Sequence, residues 1–224
     1  MYSGVSSKSD HGSMMLFLSE KRCVVSMRIG EKYSALSDLT FPRMEEYARR
    51  CWADFHVISA KRIIPDARLW QLVCWEKFQI GDLLEVYSEV FFLDVDCWIA
   101  RDCPNVFELA GGLVAEKLPV SSYFMKYARY CGLEKAAYEI NSGVLLLRRS
   151  HRGVASKPEI FPPLHSFVLS EQHWWAINAQ LQGLPVERLD GRFHRGKVDE
   201  PFWIFHAVNT KTDKLEQLKL ASRR

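Results

Sequence analysis

Near the middle of the chain stands the run Val90-Phe91-Phe92-Leu93-Asp94-Val95-Asp96. Four apolar residues in succession suit a strand buried on both faces, as in parallel sheets. Two carboxylates, two positions apart, follow at once. An unpaired carboxylate in an apolar interior costs several kcal/mol, roughly, so the pair is expected to emerge at the strand's end, where a cation can sit. Hard divalent ions such as Mg²⁺ and Mn²⁺ take carboxylate oxygen and bridge to substrate phosphates. A diphosphate neutralised in this way is a better leaving group. Aspartate is also common where a strand passes into a surface turn. The pair by itself therefore has two readings, a metal–phosphate site and a plain turn.

On either side of this run the pattern alternates. Residues 22–27 read as a first strand closed by Gly30, and 54–59 as a second. Between them, 37–50 places Leu39, Met44, Tyr47 and Ala48 at helical spacing, with Pro42 delaying the start. Asp66 can cap a helix through Leu69, Leu72, Val73 and Phe78, ended by Gly81. Residues 89–93 form the buried strand, and Trp98-Ile99-Ala100 continues extended. Residues 123–131 read as a helix, 143–148 as a buried strand, 171–181 as a helix capped by Ser170, and 202–206 as a late strand before a Lys-rich tail. Strands separated by helices imply a mostly parallel sheet covered on both faces, with ligands at the carboxyl ends of the strands.

Composition narrows the function. The chain has 224 residues, 48% of them hydrophobic and 25% charged, which suits one globular domain with a core of its own. A formal charge of +3 is too small to call for a nucleic-acid partner. The six cysteines show no CxxC spacing, which argues against structural zinc, and several sit in apolar runs, as a buried free thiol would. No run of 18 apolar residues occurs, so no transmembrane segment and a cytoplasmic location are expected. Residues 1–14, rich in Ser, Gly and Lys, read as a disordered expression leader and 15–224 as the single domain. Trp174 and Trp175 read as core or cleft wall, and Arg192, His194 and Arg195 as a loop able to meet an acceptor.

The acidic segment resembles the DxD motif of the GT-A glycosyltransferases, particularly the glycogenin and lipopolysaccharide galactosyltransferase-like families. Other pieces fall in the order of those families. Lys77, in a helix before the acidic pair, resembles their basic residue facing the donor. Asn141-Ser142-Gly143 resembles the Asn-[Ala/Ser]-Gly motif that contacts the donor sugar. Glu171-Gln172 resembles the Asp-Gln pair beside the reacting carbon, and His206 with Lys211 resembles the C-terminal His…Lys motif. The match departs in three places: Glu stands for Asp at 171, Lys for Arg at 77, and the stretch from His206 to Lys211 lacks the usual glycine and is one residue short. Size and motif order are also similar to the glycosyltransferase domain with which large algal viruses decorate their capsid protein, where it would be the N-terminal domain of a longer enzyme.

The resemblance implies a GT-A fold, a Rossmann-like α/β domain with a mostly parallel central sheet and helices on both faces. It implies transfer of a hexose from a UDP-sugar to a glycan or protein-linked acceptor, with retention of configuration. Asp94, Asp96 and His206 would hold Mn²⁺ or Mg²⁺. Ser26, Met27, Arg28, Tyr33 and Val95 would meet the nucleoside, Lys77 and Lys211 the diphosphate, and Asn141, Ser142, Glu171 and Gln172 the sugar, the last two as the catalytic pair. An inverting enzyme would need a base near the acceptor hydroxyl, for which Glu171 or Asp190 could serve. Each residue also has a plain reading: a core histidine, a solvated lysine, a turn, a helix start. A non-catalytic sugar-nucleotide-binding domain is the rival on the same fold. A haloacid-dehalogenase-type phosphatase expects Thr or Val where Trp98 stands and an acidic pair near the chain's start. A nucleotidyltransferase expects a Gly-rich loop where residues 26–32 supply one glycine.

Overall fold

The computed structural model describes residues 21–64, 73–109, 112–157, 171–207 and 213–223. The leader assigned to 1–14, the caps Asp66 and Ser170, the helical positions Leu69 and Leu72, and Lys211 lie outside the described residues.

The strands are β1 (Arg22–Met27), β2 (Asp54–Ile58), β3 (Glu89–Leu93), β4 (Cys97–Ile99), β5 (Leu113–Leu118), β6 (Glu139–Arg148), β7 (Val186–Arg188) and β8 (Ile204–His206). The described α-helices are α1 (Ser34–Arg50), α2 (Ile80–Val86), α3 (Ser122–Tyr130), α4 (Glu171–Leu181) and α5 (Lys214–Ser222). Six strands form one sheet in the order β2-β1-β3-β6-β5-β7, and β4 pairs with β8 in a separate ribbon. Only β6 runs against the rest: its pairs with β3 and β5 are antiparallel, while β1–β2, β1–β3 and β5–β7 are parallel.

The sheet is covered on both faces, as a strand without polar alternation requires. Val90 and Phe92 of β3 point into a core built with α2, α3 and α4, where Phe78 stacks on Trp175 at 4.4 Å between ring centroids. Phe91 and Leu93 point the other way, to Met44, Tyr47 and Ala48 of α1. Trp175 is thus a core residue, and Trp174 donates its indole N–H to Ser156 O at 2.8 Å.

Several local expectations are corrected. Helix α1 starts at Ser34 and passes through Pro42. The cost of an interior proline, about 3 kcal/mol, is carried by the buried face that Arg43, Met44 and Tyr47 present and by the Arg43 guanidinium on Ile99 O at 2.8 Å. Gly81 does not end a helix; residues 74–79 form a 3₁₀ segment that runs into α2. Its lack of a side chain answers a different need, because a Cβ there would lie 3.0 Å from the carbonyl oxygen of Ala155. Strands β5 and β7 carry no clear alternation and escape sequence reading; β7 is three residues long. Residues after Asp213 form α5, capped by the Asp213 carboxylate, which accepts from Leu215 N at 2.9 Å.

Asn141-Ser142-Gly143 lies inside β6 and is not a turn ahead of it. Opposite β5, the pairing steps from Ala115↔Leu145 to Glu116↔Asn141, so 142–144 bow out of register. A bulge of this kind re-aims side chains locally. Here it brings the Gly143 carbonyl onto the Asp94 amide at 2.8 Å, directly where β3 ends.

Candidate active site

The acidic pair leaves β3 in a tight turn, in which Cys97 N donates to Asp94 O at 3.0 Å. Thr40 of α1 holds the turn by donating its hydroxyl to Val95 O at 2.8 Å. The pair is no solvated surface turn: Asp96 is 6% exposed and Asp94 is partly buried. Buried carboxylates need partners, and both have them. Lys77 Nζ lies 2.9 Å from Asp94 Oδ1. Lys214, from the first turn of α5, ion-pairs with Asp96 Oδ2. His206, the last residue of β8, sets Nε2 3.2 Å from Asp96 Oδ1 and 3.6 Å from Asp94 Oδ2.

Burial and these partners leave the two carboxyls shifted in opposite directions. Burial raises the Asp94 pKa, and Lys77 only partly offsets it. Burial would raise Asp96 too, but His206 and Lys214 outweigh it and hold Asp96 below the usual carboxylate range.

Lys77 is 3% exposed and makes every hydrogen bond an ammonium can make. Besides Asp94 it pairs with Glu171 Oε1 at 2.8 Å and donates to Ser142, whose hydroxyl is 3.2 Å and carbonyl 3.3 Å away. The Ser142 hydroxyl donates to Glu171 in turn. An ammonium has three N–H groups, and Asp94, Glu171 and Ser142 take them. Burial lowers the Lys77 pKa, yet Asp94 and Glu171 overcome this and raise it, so the group stays charged. Glu171 is 4% exposed at the head of α4, and Gln172 beside it accepts from Ser142 N at 3.4 Å. The Asn141 side-chain oxygen Oδ1 accepts from Gly143 N at 2.8 Å.

The donor set fits a hard divalent ion. His206 Nε2 lies 3.2 Å from Asp96 Oδ1 and 3.6 Å from Asp94 Oδ2, an oxygen–nitrogen donor set of the kind such ions take. Neighbouring ligand atoms of an octahedral ion with bonds of about 2.1 Å lie roughly 3 Å apart. Asp94, Asp96 and Glu171 outnumber the ammonium groups of Lys77 and Lys214, leaving negative charge over. Ligand atoms of Asp96, Cys97 and His206 come within 4.8 Å of one another. Burial holds the Cys97 thiol well above its ordinary pKa, however, and hard ions prefer oxygen to a neutral thiol.

An open cavity of about 780 Å³ adjoins the site, lined by Lys32, Tyr33, Leu36, Asp213 and Lys214. Lys214 connects the two, since its ammonium is the one on Asp96. Of the residues expected to meet the nucleoside, Tyr33 lines this cavity, Val95 and Met27 are partly buried, Arg28 is exposed with a 3.5 Å contact to the Ser37 hydroxyl, and Ser26 is wholly buried in β1. Asp190 is taken up by Arg192, with oxygen–nitrogen distances of 2.9 and 3.2 Å.

Three participants carry no motif in the sequence. Lys214 lies in a tail where every lysine looks solvated. Glu116 lies in unpatterned β5 and meets His194 Nδ1, while His194 Nε2 is 2.7 Å from His206 Nδ1. His194 is 7% exposed, and burial together with the neighbouring His206 pushes its pKa down to about 3.

The architecture is that of solved glycosyltransferases. A glycosyltransferase involved in the glycosylation of the major capsid of PBCV-1 matches with a TM-score of 0.56 at 13% identity, covering 91% of this chain and 100% of that one. The galactosyltransferase LgtC, solved with donor and acceptor sugar analogs, matches at 0.58 and 13% over 90% and 95% of the two chains. Mouse xyloside xylosyltransferase 1 matches at 0.52 and 12% over 83% and 97%. No protein-family profile and no curated protein matches the sequence. What these likenesses establish is the fold: a GT-A α/β domain, with the acidic pair at the carboxyl end of a central strand.

Proposed function

We propose that this chain is a metal-dependent glycosyltransferase that moves a hexose from a UDP-sugar to a glycan or glycoprotein acceptor. The observation that carries the proposal is His206 Nε2 lying 3.2 Å from Asp96 and 3.6 Å from Asp94, at the end of a buried strand in this fold. These three residues would hold Mn²⁺ or Mg²⁺, and the imidazole favours Mn²⁺. A bound divalent ion supplies charge neutralisation of the diphosphate leaving group.

The chain's own residues do the rest. Lys214, half-exposed between Asp96 and the cavity, is placed to leave its carboxylate for a phosphate oxygen. Lys211 would join it. Lys77 acts on the donor as a buried charge, because its N–H groups are already taken. Tyr33, Met27, Arg28 and Val95 frame the nucleoside side, with Ser26 buried behind them in β1. Asn141, Ser142, Glu171 and Gln172 frame the sugar, with Gln172 as the polar group beside the anomeric carbon. Glu171 is bound to Lys77 and Ser142, and Asp190 to Arg192, so neither is a ready base for inversion. This favours retention of configuration. The PBCV-1 enzyme among the neighbours makes viral protein glycosylation the first context to examine.

Calorimetry of UDP with Mn²⁺, and again with EDTA, tests the donor and the metal together. Binding only with metal, followed by UDP-sugar hydrolysis that Asp96→Ala abolishes, is the expected result. Unchanged metal-dependent turnover in a folded Asp96→Ala protein would overturn the proposal. A protein that binds UDP and metal but neither hydrolyses nor transfers any sugar would be a binding domain of the same fold.

A further inference from the structure

Behind His206, on the side away from the acidic pair, two more titratable groups form a line. His194 Nε2 is 2.7 Å from His206 Nδ1, and the other ring nitrogen of His194 meets the Glu116 carboxylate. Glu116 comes from a distant part of the chain, 78 positions before His194, and each of the three is specially placed. Glu116 follows the register break in β5. His194 follows a short 3₁₀ turn, which Arg195 N on Ile204 O at 3.0 Å and His206 N on Arg195 O at 2.8 Å strap to β8. Two histidines packed merely as core filler would not need their nitrogens opposed at hydrogen-bond distance and a carboxylate at the end.

The protons in this line can be ordered from chemistry alone. A carboxylate only accepts hydrogen bonds, so the His194 nitrogen facing it, Nδ1, carries the proton. A neutral imidazole has one N–H, so His194 Nε2 is left with a lone pair. That lone pair must be met by a donor, and the atom facing it is His206 Nδ1. His206 Nδ1 is therefore protonated. By the same rule Nε2 faces the Asp94 and Asp96 carboxylates as a donor when no cation is there, and it is the nitrogen left to offer a lone pair when one lies between them.

We infer that Glu116 and His194 are positioning residues that lock the tautomer and ring orientation of His206, presenting Nε2 toward Asp94 and Asp96. The inference rests on the metal-site reading proposed above. Partners of a ligating histidine that sit behind it typically change metal affinity by about 10–100-fold when removed.

The test uses the whole chain, ¹⁵N-labelled at histidine, free of metal and then with diamagnetic Mg²⁺. Long-range ¹H–¹⁵N spectra should show His194 protonated at Nδ1 and bare at Nε2, and His206 protonated at Nδ1, in both samples. A proton on His194 Nε2 would overturn the relay whatever the metal does. In parallel, free Mn²⁺ is titrated by electron paramagnetic resonance. His194→Phe should weaken Mn²⁺ binding by about 10–100-fold. His194→Gln, which keeps an acceptor for His206 and a donor for Glu116, should restore most of it. Near-ultraviolet circular dichroism checks that each variant is folded, and His194→Gln carries the test if His194→Phe is not. Equal Mn²⁺ affinity in wild type and a folded His194→Phe overturns the inference. Absence of Mn²⁺ binding by the wild type overturns the metal-site reading instead, and the tautomer then decides the relay alone.

Discussion

Gly143 lies so close beneath His206 that a Cβ built on it would fall 2.1 Å from the imidazole Cε1 and 2.9 Å from Asp94 Oδ2. The bulge in β6 creates this approach, and the residue without a side chain allows it. Gly143→Ala should therefore displace His206, itself 4% exposed and held by His194. We expect a loss of about 1–3 kcal/mol in urea denaturation, the usual cost of overpacking. Mn²⁺ affinity in the same protein should fall by about tenfold or more.

Lys77 is the counter-ion of two buried carboxylates. Lys77→Met keeps most of the side chain's length and removes the charge, leaving Asp94 and Glu171 without it. Breaking a buried pair from one side costs about 3–5 kcal/mol, to be measured by urea denaturation at pH 7. Without Lys77, burial raises the Asp94 carboxyl further. A raised folded pKa contributes stability below the unfolded value of about 3.9, and that stability is lost as pH rises through the folded value. The deficit should therefore narrow from pH 7 to pH 5.

Lys214 is expected to move two affinities in opposite directions. It is half-exposed, so its pair with Asp96 is worth about 0.5–1 kcal/mol. Lys214→Ala should tighten Mn²⁺ binding in the absence of nucleotide by about two- to fivefold. It should weaken UDP binding in the presence of Mn²⁺ by about tenfold, through loss of a charged phosphate contact. Calorimetry of each ligand separately distinguishes this from general damage to the site, which would weaken both.

Glu76, in the 3₁₀ segment that also carries Lys77, offers a pH-dependent prediction remote from any metal. It accepts from the backbone amides of Arg62, Ile63 and Ile64 at 2.7–2.9 Å and from Gln79 at 2.7 Å. Burial would raise its pKa, but the three amides outweigh this and depress it. A depressed carboxyl contributes stability that is fully present above the unfolded value of about 4.3 and lost as pH falls through the folded value. Glu76→Gln should cost about 1–3 kcal/mol at pH 7, because a neutral amide replaces the charged acceptor. Denaturation curves of the two proteins should converge as pH is lowered from about 4 toward 2.

What the sequence determined alone was local. The run 89–93 was legible as β3 because four apolar residues in a row admit few other structures. Helix α4 was legible over its full length at 171–181, and the acidic pair stood out because two carboxylates directly after such a run need either a cation or a solvated turn. The GT-A class came from the resemblance of the acidic pair, Asn141-Ser142-Gly143, Glu171-Gln172 and His206 to a family's motifs in their order, and the strand order and helix placement agree with it.

Tertiary structure decided everything that depends on which distant residues are neighbours. The antiparallel course of β6 and its bulge arise from pairing with β3 and β5, and neither leaves a trace in the residues 139–148 themselves. Lys214 reaches Asp96 across 118 positions of sequence, and Glu116 reaches His194 across 78. Hydrophobic periodicity records how a segment meets the core. It does not record which charge on another segment will face the one just buried, and that pairing is what lets the acidic turn be buried.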